Sequence, residues 1–317
     1  AGGGVAAKLV HAMGGIEALE EFLDLVAIGT IADIVPLLGE NRVFAAIGLK
    51  HINSNPRLGI RALAEVSRLD YSNSTSHNIA VGIAPRINAA GRMDRALDAF
   101  RLLTAEDPKT AANLALKLDM ANKKRQDQEA IILEQAKSRI DSSLEGQDRI
   151  IILEAKEWHA GIIGIAASKL VDIYRRPVIL LTNIEGDLYT GSARSIDGFD
   201  IYEALYSTRH ILERFGGHEQ AAGITIKEQN IAKLKDNLGS YSRDKISRDM
   251  LIPQYKYDAE LCNEDINFEL YNDLEKFEPF GLANPMPIFL LRDVYIDNFR
   301  LVGKRQNHVK LSVGMDD

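Results

Sequence analysis

The sequence predicts an α/β protein: two α/β lobes joined by a long helix and followed by the start of a β-rich segment. Three observations lead there. Short apolar runs at residues 22–29, 149–154 and 178–182 read as buried strands, with helical spacing after the second of them. Residues 107–142 carry apolar positions at helical intervals (Leu114, Leu118, Ala121, Ile132, Ala136) around a polar centre at residues 122–129. That is the pattern of a helix that bridges bodies or crosses solvent. From Tyr255 onward, strand-like runs divided by Pro, Gly and Asn replace the alternation.

Composition narrows the function classes. With 317 residues and 46% apolar content, the chain can bury a sizeable core, and its length fits two or three domains. No run of about 18 apolar residues points to a membrane span, and no leader pattern opens the chain, so a cytoplasmic protein is expected. The single Cys262 excludes an internal disulfide framework and a cysteine-built zinc site. A formal net charge of −7 argues against coating duplex nucleic acid by bulk electrostatics, yet leaves room for a local basic groove. The chain opens on Ala1-Gly2-Gly3-Gly4 without an initiator methionine, which suggests a start inside a larger domain, with a glycine turn entering a helix at residues 5–10.

In order along the chain, the run at residues 22–29 reads as a strand that delivers Asp33 just past its carboxyl end. Ligands gather at that edge in open α/β sheets, so Asp33 is a candidate metal ligand, with a helix or turn cap as the alternative. Residues 40–69 read as two helices broken at Asn55-Pro56. In Ala84-Pro85-Arg86-Ile87-Asn88-Ala89-Ala90-Gly91-Arg92, two arginines and an asparagine stand among small residues. A guanidinium fork matches phosphate oxygens, so these could clamp a phosphate; alternatively they cap helix carboxyl ends. Asp94 reads as the N-cap of a short helix through Leu103, and Asp107-Pro108 as the start of the long one.

After the strand at residues 149–154, the small-residue helix beginning near His159-Ala160-Gly161 offers an N-terminus suited to an anion. Residues 188–195 form a strand in which Ser192 and Arg194, two apart, share a face. Residues 200–214 read as helical and lead into Phe215-Gly216-Gly217-His218-Glu219-Gln220-Ala221-Ala222-Gly223. There, paired glycines free the backbone and His218 supplies a polar group near it, which suits an anionic ligand; a plain helix-to-strand turn is the alternative. His159 and His218 are expected to contact substrate rather than a cation, because no carboxylate pair stands at ligand spacing from either. Trp158 and Tyr189 are candidate platforms for base stacking, with Trp158 in the core as the alternative.

Six motifs taken in order resemble the bacterial RecJ single-stranded-DNA exonucleases of the DHH phosphoesterase superfamily. They are Gly29-Thr30-Ile31-Ala32-Asp33, Pro85-Arg86-Ile87-Asn88-Ala89-Ala90-Gly91-Arg92, Trp158-His159-Ala160-Gly161-Ile162-Ile163-Gly164-Ile165, Gly191-Ser192-Ala193-Arg194-Ser195, Phe215-Gly216-Gly217-His218 and Pro279-Phe280-Gly281-Leu282-Ala283-Asn284-Pro285. The resemblance implies the end of a DHH core (residues 1–106), a connecting helix (107–142), a DHH-associated domain with its Gly-Gly-His motif (143–248) and part of an OB-like domain (249–317). It implies 5′-to-3′ degradation of single-stranded DNA with Mn²⁺ or Mg²⁺ in recombination and repair. Expected partners are single-stranded DNA, a single-strand-binding protein and a recombination helicase, for a monomer that touches no membrane.

Carried over by position, Asp33 matches an aspartate ligand of the two-metal site. Arg86, Asn88 and Arg92 fall in the arginine motif at the scissile end; His159, Ser192, Arg194, Gly216, Gly217 and His218 fall in the motifs taken to hold the strand. The aspartate-rich and Asp-His-His motifs of the family are absent from these residues, so the chain as given is expected to be nearly inactive. Two alternatives remain: a DHH phosphodiesterase for short oligonucleotides or cyclic dinucleotides, and a non-catalytic strand-binding relative.

Overall fold

The first helix of the computed structural model, α1 (Gly2–Glu20), is broken at Gly15, where φ is 76° and a side chain would be strained. The residues described are 1–93, 96–142, 149–303 and 306–315. They fall into two units, Ala1–Pro85 with Tyr255–Asp317, and Arg86–Gln254. The expected N-cap Asp94 lies outside the described residues.

The apolar run expected as a strand at residues 22–29 is instead helix α2 (Leu23–Ala32). Its side chains are buried nearly all round, and a short uninterrupted apolar run looks the same in sequence whether it is a buried strand or a buried helix. Asp24 fixes its first turn: the carboxylate is buried and pairs with Arg57 at 2.8 Å. Helix α3 (Gly39–Ser54) packs on α2 through Gly48, and α4 (Leu58–Ser67) follows the break at Asn55-Pro56. A single turn, α5 (Ser76–Asn78), passes through a π-helical turn at Ile79–Ile83 into α6 (Ala84–Met93), in which the boundary between the units falls.

In the second unit, α7 (Ala96–Leu103) precedes α8 (Pro108–Ser142), whose first turn is capped by Asp107 accepting from the Thr110 N–H at 2.7 Å. The polar middle of α8 is not solvated as expected. Asn122, Arg125 and Glu129 are buried, Arg125 donates to both of the others, and Lys169 reaches Glu129. Charges tolerate burial when their partners are buried with them. Lys169 stands on α9 (Ala160–Tyr174), so this cluster ties the two helices together.

Five strands form the sheet of this unit. They are β1 (Ile151–Ala155), β2 (Val178–Glu185), β3 (Leu188–Arg194), β4 (Leu212–His218) and β5 (Ala221–Lys227), in the order β1-β2-β3-β5-β4. β1 and β2 are parallel and joined through α9, as parallel neighbours require a crossover; the remaining pairs are antiparallel. The helix expected over residues 200–214 is shorter. Helix α10 (Ile201–Ser207) and a 3₁₀ turn end by Ile211, and residues 212–214 already belong to edge strand β4. Helices α10 and α11 (Ile231–Lys245) pack against one face of the sheet around Ile179, Leu181, Ala193, Ile224 and Ile226, while α9 and the end of α8 pack against the other around Leu153, Val178 and Leu180.

The remaining elements return to the first unit: the two-residue strands β6 (Ala259–Glu260) and β7 (Phe289–Leu290) pair in parallel, α12 (Phe268–Glu275) lies between them in sequence, and β8 (Val294–Val302) pairs with β9 (His308–Met315). The Pro279–Pro285 motif clasps the helices. Leu37 N–H donates to Leu282 O at 2.7 Å, Ser76 Oγ donates to Phe280 O at 2.6 Å, and Arg42 Nη2 donates to Phe277 O at 2.9 Å. Among the described residues, no helix is long and apolar enough to cross a membrane.

A Cβ at residue 48 would overlap the Leu23 carbonyl and the Ala27 side chain. Gly48→Ala is therefore expected to cost about 1–3 kcal/mol by overpacking, read as a lower denaturant midpoint with an unchanged slope. An unchanged midpoint would contradict the α2–α3 packing.

Candidate strand-binding site

The small residues of α9 allow it to sit close on the sheet, and that closeness sets the position of the candidate side chains. Arg194 and Ser192, on alternate positions of β3, share the face that α9 covers, as their spacing predicts. Arg194 Nη1 donates to Ser192 Oγ at 2.9 Å and to its neighbour's carbonyl, Ala193 O, at 2.8 Å. Both side chains crowd Gly164: a Cβ there would lie 2.9 Å from Arg194 Nη2 and 2.9 Å from Ser192 Oγ. Arg92, from α6, donates through Nη1 to Gly161 O at 3.1 Å in the first turn of α9.

Two guanidinium groups are thereby brought near one another. Burial, reinforced by the neighbouring Arg92 charge, pulls the Arg194 guanidinium below its usual pKa. Among the described residues, no carboxylate pairs with either arginine. Like charges held together without a counter-ion are unfavourable in the free protein, and an anion placed between them relieves the repulsion.

His159 is the N-cap of α9. Its Nδ1 accepts from the Gly161 N–H at 3.1 Å, so in the neutral ring the proton sits on Nε2, which is left to donate outward. His218, at the end of β4, is held alike: Nδ1 accepts from the Gln220 N–H at 3.3 Å. In the register, His218 stands opposite Ala221, itself opposite Arg194, while Gly216 stands opposite Gly223, itself opposite Ser192. Residues directly opposite share a face, so the two motifs lie in rows across three strands. Helix α9 packs on β2 and β3, and beyond them Gly216, His218 and Gly223 are exposed, leaving a strip of bare backbone beside the arginines. Gly217, at φ 151°, packs so closely on Ala221 O and Ala222 that no side chain fits.

The remaining expected residues sit elsewhere. Arg86 is engaged by Asp119 of α8, Nε to Oδ1 at 2.8 Å, and Asn88 is exposed on α6. Asp33 lies in the first unit as the exposed C-cap of α2, its N–H donating to Gly29 O. The stacking roles considered for Trp158 and Tyr189 are corrected. Trp158 is 4% exposed with Nε1 donating to Gln135 Oε1 at 2.7 Å, and Tyr189 is 2% exposed, so neither offers a ring face to a base. Arg214 was missed: it stands opposite Thr225, two residues from Gly216, and is exposed on the face that carries His218. The alternation of Arg214, Gly216 and His218 was its signal, hidden by reading those residues as the end of a helix.

Two family descriptions match the chain, DHHA1 domain over residues 147–243 and RecJ OB domain over residues 257–317. The single-stranded-DNA-specific exonuclease RecJ of Bacillus subtilis is 39% identical over 315 residues, which make up 99% of this chain and 40% of that protein. The RecJ of Thermus thermophilus is 33% identical over 296 residues, 92% of this chain and 42% of the relative. The crystal structure of RecJ from Thermus thermophilus in complex with Mn²⁺ matches with a TM-score of 0.83 at 31% identity, covering 96% of this chain and 44% of the other. The Mg²⁺ complex matches with the same TM-score, 0.83, over 46% of its chain. This chain spans about half the length of the curated relatives it matches. Similar along nearly its whole length to these proteins and folded as they are, the chain belongs to the RecJ family.

Proposed function

We propose that the chain serves in a 5′-to-3′ exonuclease on single-stranded DNA, a phosphodiester hydrolase of recombination and repair, with its second unit as the platform that holds the strand. The observation that carries this reading is that Arg92, bonded to Gly161 O, and Arg194, packed against Gly164, both meet the start of α9 without a carboxylate partner among the described residues. A polyanion supplies the missing charge, and the exposed glycines beside the pair let a sugar–phosphate backbone approach the main chain. Arg92 and Arg194 would hold phosphate oxygens. Ser192 Oγ, already accepting from Arg194, keeps its own O–H to donate, and His159 and His218 would donate from Nε2. None of these groups reads base identity, as a nuclease indifferent to sequence requires.

Mn²⁺ and Mg²⁺ are present in the Thermus relatives. The donors of this chain do not assemble such a site: among the described residues, no group of three or more His, Cys, Asp or Glu could hold a metal ion. Asp33 would contribute one carboxylate, and Arg86, held by Asp119, would orient its helix rather than clamp phosphate. The metal, which supplies an activated water and charge neutralisation when bound, depends on further carboxylate and imidazole donors. A single-strand-binding protein and a recombination helicase as partners, a monomeric state and a cytoplasmic location belong to the same proposal and rest on the family resemblance.

Three outcomes are expected. Incubated with Mn²⁺ and a 5′-labelled single strand, the 317-residue chain releases little mononucleotide, and robust processive degradation would overturn the account of the donor set. Arg194→Ala weakens single-strand binding at least about tenfold at low salt and lowers the slope of log affinity against log salt by roughly one, in a fluorescence-anisotropy titration. An unchanged slope removes Arg194 from the phosphate contacts. Gly164→Ala displaces Arg194 and Ser192, giving a comparable loss of binding with the fold retained by circular dichroism; full affinity would show that the close approach of α9 is dispensable.

A further inference from the structure

We propose that Arg214 is a second anchor of the strand platform and holds a different phosphate from the one that Arg194 engages. The single strand then runs along the open face of β5 and β4, from His218 toward Leu212; this rests on the platform reading above.

The register sets out three rows on that face. His218, Ala221 and Arg194 form the first, Gly216, Gly223 and Ser192 the second, and Arg214, Thr225 and Thr190 the third. Phe215, between Arg214 and Gly216, turns the other way. It packs against the core that holds Ile224 and meets the rings of Tyr202 and Tyr206 at centroid distances of 5.6 and 6.3 Å. Successive residues of a strand alternate, so Arg214 stands on the open side. It is exposed, and among the described residues its guanidinium has no hydrogen-bond or carboxylate partner.

Distance separates the two arginines. Two strand spacings of about 4.8 Å and four residues of about 3.4 Å put their positions roughly 17 Å apart. Arg194 is also held back, its Nη1 bonded to Ser192 Oγ and Ala193 O. One phosphate does not span that gap, so each arginine meets its own. Between them Gly216 and Gly223 stand opposite one another, both exposed, and no side chain rises where the sugar–phosphate chain would pass.

The track also has an end. A bulge between Leu212 and Arg214 inserts Glu213, which is exposed and pairs with Lys227 of β5 at 3.6 Å. That carboxylate neutralises the cation that would extend the row, and it repels a further phosphate.

The test uses the full chain and an octathymidylate probe, with affinity followed by fluorescence anisotropy across a salt series. Arg214→Ala is expected to weaken binding about fivefold at low salt and to lower the slope of log affinity against log salt by roughly one, whereas Arg214→Lys keeps the slope. Combining Arg214→Ala with Arg194→Ala lowers it by roughly two, because separate phosphates are lost. Glu213→Gln, which frees Lys227, is expected to tighten binding about twofold. Arg209→Ala removes an exposed charge from the side that carries Tyr206, where the guanidinium lies 4.3 Å from the ring centroid, and leaves the slope unchanged. An unchanged slope in Arg214→Ala, a double variant no weaker than Arg194→Ala alone, or an equal loss from Arg209→Ala overturns the track. Weaker binding with a lowered melting temperature in both Arg214→Ala and Arg214→Lys also overturns it, by marking Arg214 as structural. Binding by Glu213→Gln no tighter than that of the parent overturns the end assigned to the track. An unchanged slope in Arg194→Ala instead overturns the platform reading on which the track rests.

Discussion

The second unit depends on how closely α9 lies on its sheet. Gly161 and Gly164 lack side chains where Arg92, Arg194 and Ser192 pass, and Ala166 and Ala167 are fully buried one turn further on. One helix of this length covers β2 and β3 but not the two strands beyond them. The same packing that builds the core thus leaves two of the five strands open on one face, and it brings Arg92 and Arg194 to the start of α9 beside that open strip. Core and candidate site are one arrangement seen from two sides.

What the sequence disclosed, and what it hid, follows from this geometry. Strands β1, β2, β3 and β5 were legible because runs of Ile, Leu and Val are bounded by Gly, Pro or charged residues, and β3 shows its alternation openly in Tyr189, Gly191 and Ala193 against Thr190, Ser192 and Arg194. The motifs at Ser192–Arg194 and Gly216–His218 were legible as ligand-like chemistry, but their common face needed the β3-β5-β4 register, which no local pattern encodes. Helix α2 was misread because it is buried on all sides and so has no period. Edge strand β4 was misread because its polar residues continue the pattern of the helix before it. Trp158 and Tyr189 show the limit of residue type as a guide. An aromatic residue in a motif is a stacking surface only if a face is open, and the apolar cores on both sides of the sheet absorb these two.

The polar cluster inside α8 is a further case in which tertiary partners overrode a sound local reading. Asn122, Arg125 and Glu129 look like a solvated stretch, and they are instead the point at which α8 meets α9 through Lys169. Directional bonds of this kind fix the register of one helix on the other in a way that apolar packing alone does not. Since α8 also carries Asp119, that register decides where the partner of Arg86 stands.

The clasp at Pro279–Pro285 bears on the order in which the chain is built. Ser76 bonds Phe280 and Leu37 bonds Leu282, so the clasp joins the helices of the first unit to residues more than two hundred positions away, whereas the second unit is a single continuous stretch between them. Contacts that distant carry a large loop-closure entropy and form late, while a continuous segment can condense as soon as it is complete. During synthesis the strand platform can be standing before the helices that precede it meet the clasp, and Leu37 and Ser76 gain their backbone partners last.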